Sequence, residues 1–180
     1  KNQFAAGASA DFGRTSFKSD SQVADVVGIR TVSVKPYDVT QTVRLAGDND
    51  YYGLFLTDTL EVVDKLHLTV SGRYNIAAVD LRGTSLDITD DSLVPGNLDG
   101  KHRYYRFNPA VGVTYDALKT LNVYGGYNEG MRAPSPIELA CADPAHPCAL
   151  PNAFGGDPHL ADVVSKTWEG GLRGTVFEDL

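Results

Sequence analysis

No run of apolar residues in this chain approaches the roughly 18 that a membrane-spanning helix requires. The most apolar stretch near the start, residues 4–10, is short and contains Gly7 and Ser9. It does not make the apolar core of a secretory leader, so the chain is expected to be a mature or internal segment, or cytoplasmic. Basic clusters are missing too. Lys and Arg total 16 against 23 Asp and Glu, a net charge of −7, with no basic block anywhere. Neutralising phosphates needs clustered cations, so nucleic acid is not expected as a partner. Acidity does not exclude a bilayer, because a barrel can insert through a neutral apolar belt.

Cysteine is nearly absent. Cys141 and Cys148 bracket Ala-Asp-Pro-Ala-His-Pro, a turn-prone stretch that can bring two Cα atoms to disulfide distance. In a reducing compartment they would be unrelated thiols, and in an oxidising one a loop disulfide. Their spacing is poor for zinc. Signals of catalysis are equally thin. There are four histidines, His67, His102, His146 and His159, and no Ser or Cys has a nucleophile context. Three of the four fall in expected loops. Asp143, His146, Asp157 and His159 could converge, but Asp-Pro and His-Pro are ordinary turn chemistry. Neither an enzyme nor a metal site is expected, and no cofactor.

What is present is alternation. In residues 66–76, Leu66, Leu68, Val70, Gly72, Tyr74 and Ile76 share one parity, and His67, Thr69, Ser71, Arg73 and Asn75 the other. A period of two with one apolar face is a β-strand. Five further rows repeat it: Phe4 to Phe12, Tyr52 to Val62 (interrupted by Asp58), Tyr105 to Tyr115, Leu121 to Tyr127, and Trp168 with Leu172 and Val176. Each is close to the roughly 9–11 residues of a membrane-spanning strand.

Connections alternate as well. Short turns are expected at residues 63–65 and 116–119. Long ones are expected at 19–50, 82–102 and 132–163, of which the acidic part, 87–99, reads as solvated surface. Short turns at one end and long loops at the other are the habit of outer-membrane barrels. Tyr51, Tyr52, Tyr74, Tyr104, Tyr105, Tyr127 and Trp168 lie near loop-side strand ends and Tyr115 near a turn, approximating two aromatic girdles. The fold class is therefore all-β: an antiparallel transmembrane β-barrel segment of about six long strands. Six strands do not close a membrane barrel, so residues 1–180 are expected to be one partial barrel domain. Two alternatives stand beside this. If 28–34 and 39–45 are extra strands, the chain is a small self-contained barrel with a structural or adhesion role. If the apolar rows point into one core, it is a soluble all-β binding protein.

The run Tyr52-Gly53-Leu54-Phe55-Leu56-Thr57-Asp58, followed by Leu66-x-Leu68-Thr69-Val70-x-Gly72-Arg73-Tyr74-Asn75, resembles successive barrel strands of TonB-dependent receptors. The most specific likeness is Gly130-Met131-Arg132-Ala133-Pro134-Ser135, then Glu138-Leu139. It resembles the family's G-F-R-A-P-S…E-L segment, with Met131 in place of Phe. Ser165-Lys166-Thr167-Trp168-Glu169-Gly170-Gly171-Leu172-Arg173 resembles its S-x-x-Y/F-E-x-G-x-R strand, and the Cys141–Cys148 loop sits where some members carry a cysteine-bracketed loop.

The resemblance implies a receptor of the bacterial cell outer membrane. It would take up a scarce solute, most commonly a ferric siderophore, with the lipid bilayer, a plug domain and TonB as partners. Plugged barrels of this kind have about 22 strands, and no plug is expected in this chain. Arg73, Arg106, Arg173 and Glu169 lie on polar parities and would face the lumen. There they would contact a plug or a charged solute, or form ion pairs between strands. Arg132 and Glu138, at the Pro-rich bend, read as structural.

Overall fold

The computed structural model describes residues 1–29, 31–89, 92–142 and 160–175, with backbone alone at 21–24, 26, 31–41, 87–89, 92, 93 and 141. Seven strands make one antiparallel sheet: β1 (Asn2–Gly28), β2 (Thr31–Val63), β3 (Leu66–Thr89), β4 (Ser92–Asn97), β5 (Gly100–Leu118), β6 (Leu121–Arg132) and β7 (Val163–Gly174). The order is β1-β2-β3-β5-β6-β7, with β4 paired to the far end of β3. Among the described residues β1 and β7 remain edges, as in a barrel segment. The one helix described, α1 (Pro136–Cys141), follows β6.

The apolar parities of neighbouring strands fall in line. Ala8, Leu54, Tyr74 and Phe107 are successive partners across β1, β2, β3 and β5, and so are Ala10, Tyr52, Ile76 and Tyr105. Val111, Tyr127 and Trp168 continue such a row across β5, β6 and β7. These side chains are uncovered: Leu54 is 63% exposed, Phe107 58% and Trp168 81%. A soluble domain does not leave so large a contiguous apolar surface in water, and the apolar rows do not meet in one core. The soluble alternative fails on this point. From Tyr52 to Val62 the row covers about 33 Å of strand, or roughly 25 Å of bilayer at a 40° tilt.

In five of the six apolar rows an aromatic residue ends the row and a charge follows two positions on; the β3 row ends at Ile76 and reaches its charge at Asp80. Arg14 follows Phe12, Asp50 precedes Tyr52, Arg103 precedes Tyr105, Glu129 follows Tyr127 and Lys166 precedes Trp168. This is the change of medium from hydrocarbon to interface to water.

Four expectations are corrected. Residues 19–50 are not a long loop, and 28–34 and 39–45 are not extra barrel strands. They continue β1 and β2 into one hairpin that runs 16 residues beyond Phe12, roughly 50 Å of strand. Backbone pairing across the hairpin sustains these strands where side-chain alternation is weak. Residues 82–102 are likewise strand for most of their length, in β3, β4 and the start of β5, so His102 lies in a strand. The short turns are Asp64-Lys65 and Lys119-Thr120. The second falls later than 116–119, because a register shift after Asp116 lets β5 run on to Leu118.

The opposite face is polar near the turns and apolar near the loop end. Ala77, Val79 and Leu81 of β3 and Val43 and Leu45 of β2 are buried there under α1, with Leu139 and Ala140 packed on them. This inner face is the one a closed barrel turns to its lumen.

Candidate functional site: the inner face and its docked helix

β6 leaves the sheet through Arg132-Ala133-Pro134, and the two prolines Pro134 and Pro136 set how α1 begins. Pro136 opens the helix, where a missing N–H costs nothing. Ser135 caps it: its hydroxyl accepts from the Glu138 N–H at 3.3 Å, and the Glu138 carboxylate accepts from the Ser135 N–H at 2.7 Å. Arg132 donates to both Glu138 oxygens at 2.9 and 3.2 Å, a bidentate clamp across the bend. The Arg132 guanidinium, then the Ser135 backbone N–H, hold the Glu138 carboxyl at about 2, against an ordinary 4.5.

Docking is steric. A side chain at Gly47 would stand 2.7 Å from the Pro136 ring, so the glycine is what lets α1 approach β2. Ala133, Leu139 and Ala140 are buried on the inner face. Tyr104 donates from its hydroxyl to the Leu160 carbonyl at 3.1 Å, joining the segment before β7 to β5. A cleft of about 600 Å³ opens beside the helix, lined by Leu81, Leu98, His102, Tyr104, Leu139 and Leu160 among others.

The polar residues expected in the lumen divide into separate contacts. Arg73 lies over Gly53 and donates to Ser9 and Asn75, both at 2.7 Å, linking β1 and β3 across β2. Arg106 donates to Glu129 at 2.6 Å, and Glu129 also accepts from Tyr127 at 2.5 Å. This pair bridges a gap. The β5–β6 ladder ends at Ala110 and Asn128, beside Pro109, which has no N–H to give β6. Arg173 stacks on the Tyr124 ring at 5.6 Å. Arg173 and Glu169 share a second, polar recess of about 390 Å³ near the turn end. His67 meets Asp116 at 3.6 Å at that end, and Asn122 donates to Asp116.

The structure therefore brings Arg132 and Glu138 together, and Arg173 and Glu169 into one recess. Arg73 and Arg106 stand in networks of their own. Gly130 admits the Ser165 side chain, whose oxygen would lie 2.7 Å from a Cβ there. The Cys141 side chain and Cys148 lie outside the described residues, as do Asp143, His146, Asp157 and His159. Sequence reasoning passed over Glu129, Gly47 and the capping role of Ser135. The spacing Ser135-x-x-Glu138 before apolar residues is a helix-start signal and could have found the last. Nothing local marks the other two.

A family model described as TonB dependent receptor-like, beta-barrel, matches residues 2–179. The chain belongs to that family. No curated protein and no solved structure matches it. That family is one of receptors and transporters typical of the bacterial outer membrane, and the two faces of this sheet suit a wall of such a barrel.

Proposed function

We propose that this chain is part of the wall of a receptor that captures a ferric siderophore outside the cell and admits it under TonB-linked energisation, through a plug domain that this segment does not include. The observation that carries the reading is the two-sidedness of the sheet. One face offers hydrocarbon an uncharged belt broken by Asp58, and the other carries hydrogen-bonded polar groups and a docked helix. The cargo assignment is supported by the inner-face chemistry. Arginines Arg73, Arg106 and Arg173, interleaved with Tyr51, Tyr104 and Tyr124, suit an anionic, oxygen-rich and aromatic chelate. The cleft beside α1 lies at the loop end, where a ligand from outside arrives first.

The test is uptake of radioiron by cells whose sole candidate iron receptor is the one containing this chain, with and without TonB. Catecholate, hydroxamate and citrate chelates are supplied in turn. TonB-dependent accumulation of at least one is expected. Accumulation of cobalamin but of no iron chelate would reassign the cargo, and uptake indifferent to TonB would overturn the energised mechanism.

A further inference from the structure

One carboxyl stands within the apolar belt. Asp58 lies on the outward parity of β2 between Leu56 and Leu60, opposite Phe4 of β1 and Val70 of β3. Four residues separate it from Val62, about 13 Å of strand or roughly 10 Å of depth at a 40° tilt, so hydrocarbon rather than water surrounds it. The side chain is half-buried, and its Oδ1 is covered with no hydrogen-bond partner among the described residues. Its neighbours offer no donor, since Phe4, Leu56, Leu60 and Val70 are all apolar and all exposed. A polar group left unpaired in such a medium is costly, and an ionisable side chain inside a membrane-spanning segment marks a function until shown otherwise. The lumen networks and α1 belong to the opposite face and do not reach it.

We propose that Asp58 is the contact point of a dimer in the membrane. The partner is a second copy of the same receptor, related by a two-fold axis along the membrane normal that brings the two Asp58 carboxyls together. The proposal rests on the membrane reading above and adds a partner for the outer face. A pair of carboxyls with one proton between them has both a donor and an acceptor, and a two-fold axis sets identical groups face to face. Both copies enter the bilayer in one orientation, so Asp58 lies at the same depth in each. Among the described residues the six outward rows hold no other charged or amide side chain, so Asp58 is the polar group that a second copy of this segment can offer. The surface beside it is low. Between Phe4 and Phe12 the outward residues of β1 are Ala6, Ala8 and Ala10, which lets a second wall approach closely. Phe4, Leu56, Leu60 and Val70 then form an apolar ring around the carboxyl pair, the surround that keeps a central polar contact dry.

The experiment uses the intact receptor, labelled with one of two fluorophores and reconstituted into phosphatidylcholine vesicles. Energy transfer between the labels is followed as the protein is diluted with lipid. Wild type is expected to associate as a dimer. Asp58→Leu is expected to associate at least about fivefold more weakly. That variant removes a charge from the belt, so its insertion is at least as favourable and misfolding does not explain the loss. Asp58→Asn, whose amide also donates and accepts, is expected to stay within about twofold of wild type. Asp58→Lys is expected not to associate with itself, and to pair with wild type more tightly than wild type pairs with itself, a gain that misfolding does not produce. Transfer in wild type no greater than random crowding gives, or left unchanged by Asp58→Leu, overturns the proposal. So does an Asp58→Lys variant that associates with itself as well as it does with wild type. Protease protection of the same vesicles separates the two levels. If the wild type does not insert, the barrel reading fails and the dimer with it. If it inserts as a monomer, the dimer inference alone fails.

Discussion

Glu138 holds α1 in two ways at once, and the two can be separated by substitution. Its carboxylate closes the capping box with Ser135 and clamps Arg132. The carboxylate side chain is 45% exposed, so the ion pair is screened and contributes about 0.5–1 kcal/mol. The cap contributes about 1 kcal/mol. Six residues do not hold a helix alone, so loss of either interaction appears as undocking of the whole segment. Glu138→Ala removes the clamp and the carboxylate half of the capping box, leaves the Ser135 hydroxyl on the backbone N–H of residue 138, and costs about 1–1.5 kcal/mol, which speeds opening roughly 5- to 10-fold. Glu138→Gln keeps an acceptor for the Ser135 N–H and loses the charge, so about a fivefold change or less is expected. Hydrogen exchange of the amides in 133–142 of the intact receptor reads these factors directly.

The pH dependence follows from the depressed pKa. The charged form is favoured in the folded state, so its stabilisation is fully present above about 4.5 and is lost as pH falls toward about 2. The gap between wild type and Glu138→Gln should close over that window, after correction for intrinsic exchange. If Glu138→Ala exchanges within twofold of wild type, or if the gap survives at the acid end, the account of α1 docking is wrong.

Three further outcomes are expected. Gly47→Val places side-chain carbon against the Pro136 ring and should displace α1 at a cost of about 1–3 kcal/mol; unchanged exchange in 133–142 would show that the helix does not dock there. Leu56→Arg puts a charge in the middle of the apolar belt and should destabilise the inserted barrel by about 2–4 kcal/mol, whereas Thr114→Arg on the inner face should cost far less; denaturant titration in lipid vesicles decides, and equal losses would contradict the assignment of faces. Lys65 has φ 70° in the turn between β2 and β3, so Lys65→Gly should raise stability by about 0.5–1 kcal/mol in the same titration, and a loss would mean that the lysine side chain contributes more than its backbone costs.

The strands that cross the apolar belt were legible because burial on one face writes a period of two into the residues themselves. Leu66 to Ile76 is sufficient to read one. The change from aromatic to charge, as at Phe12 and Arg14, is legible for the same reason, since it records where one strand passes between media. The bend at Arg132-Ala133-Pro134 and the spacing of Ser135 and Glu138 are also local signals. The hairpin beyond Phe12 was read as loop because its stability comes from backbone pairing with a partner strand, and pairing leaves no pattern in either strand alone. The fit of Gly47 to Pro136 and the bridge from Arg106 to Glu129 past Pro109 join residues that are distant along the chain. Register decides which side chains meet across strands, and register exists only when the sheet is assembled.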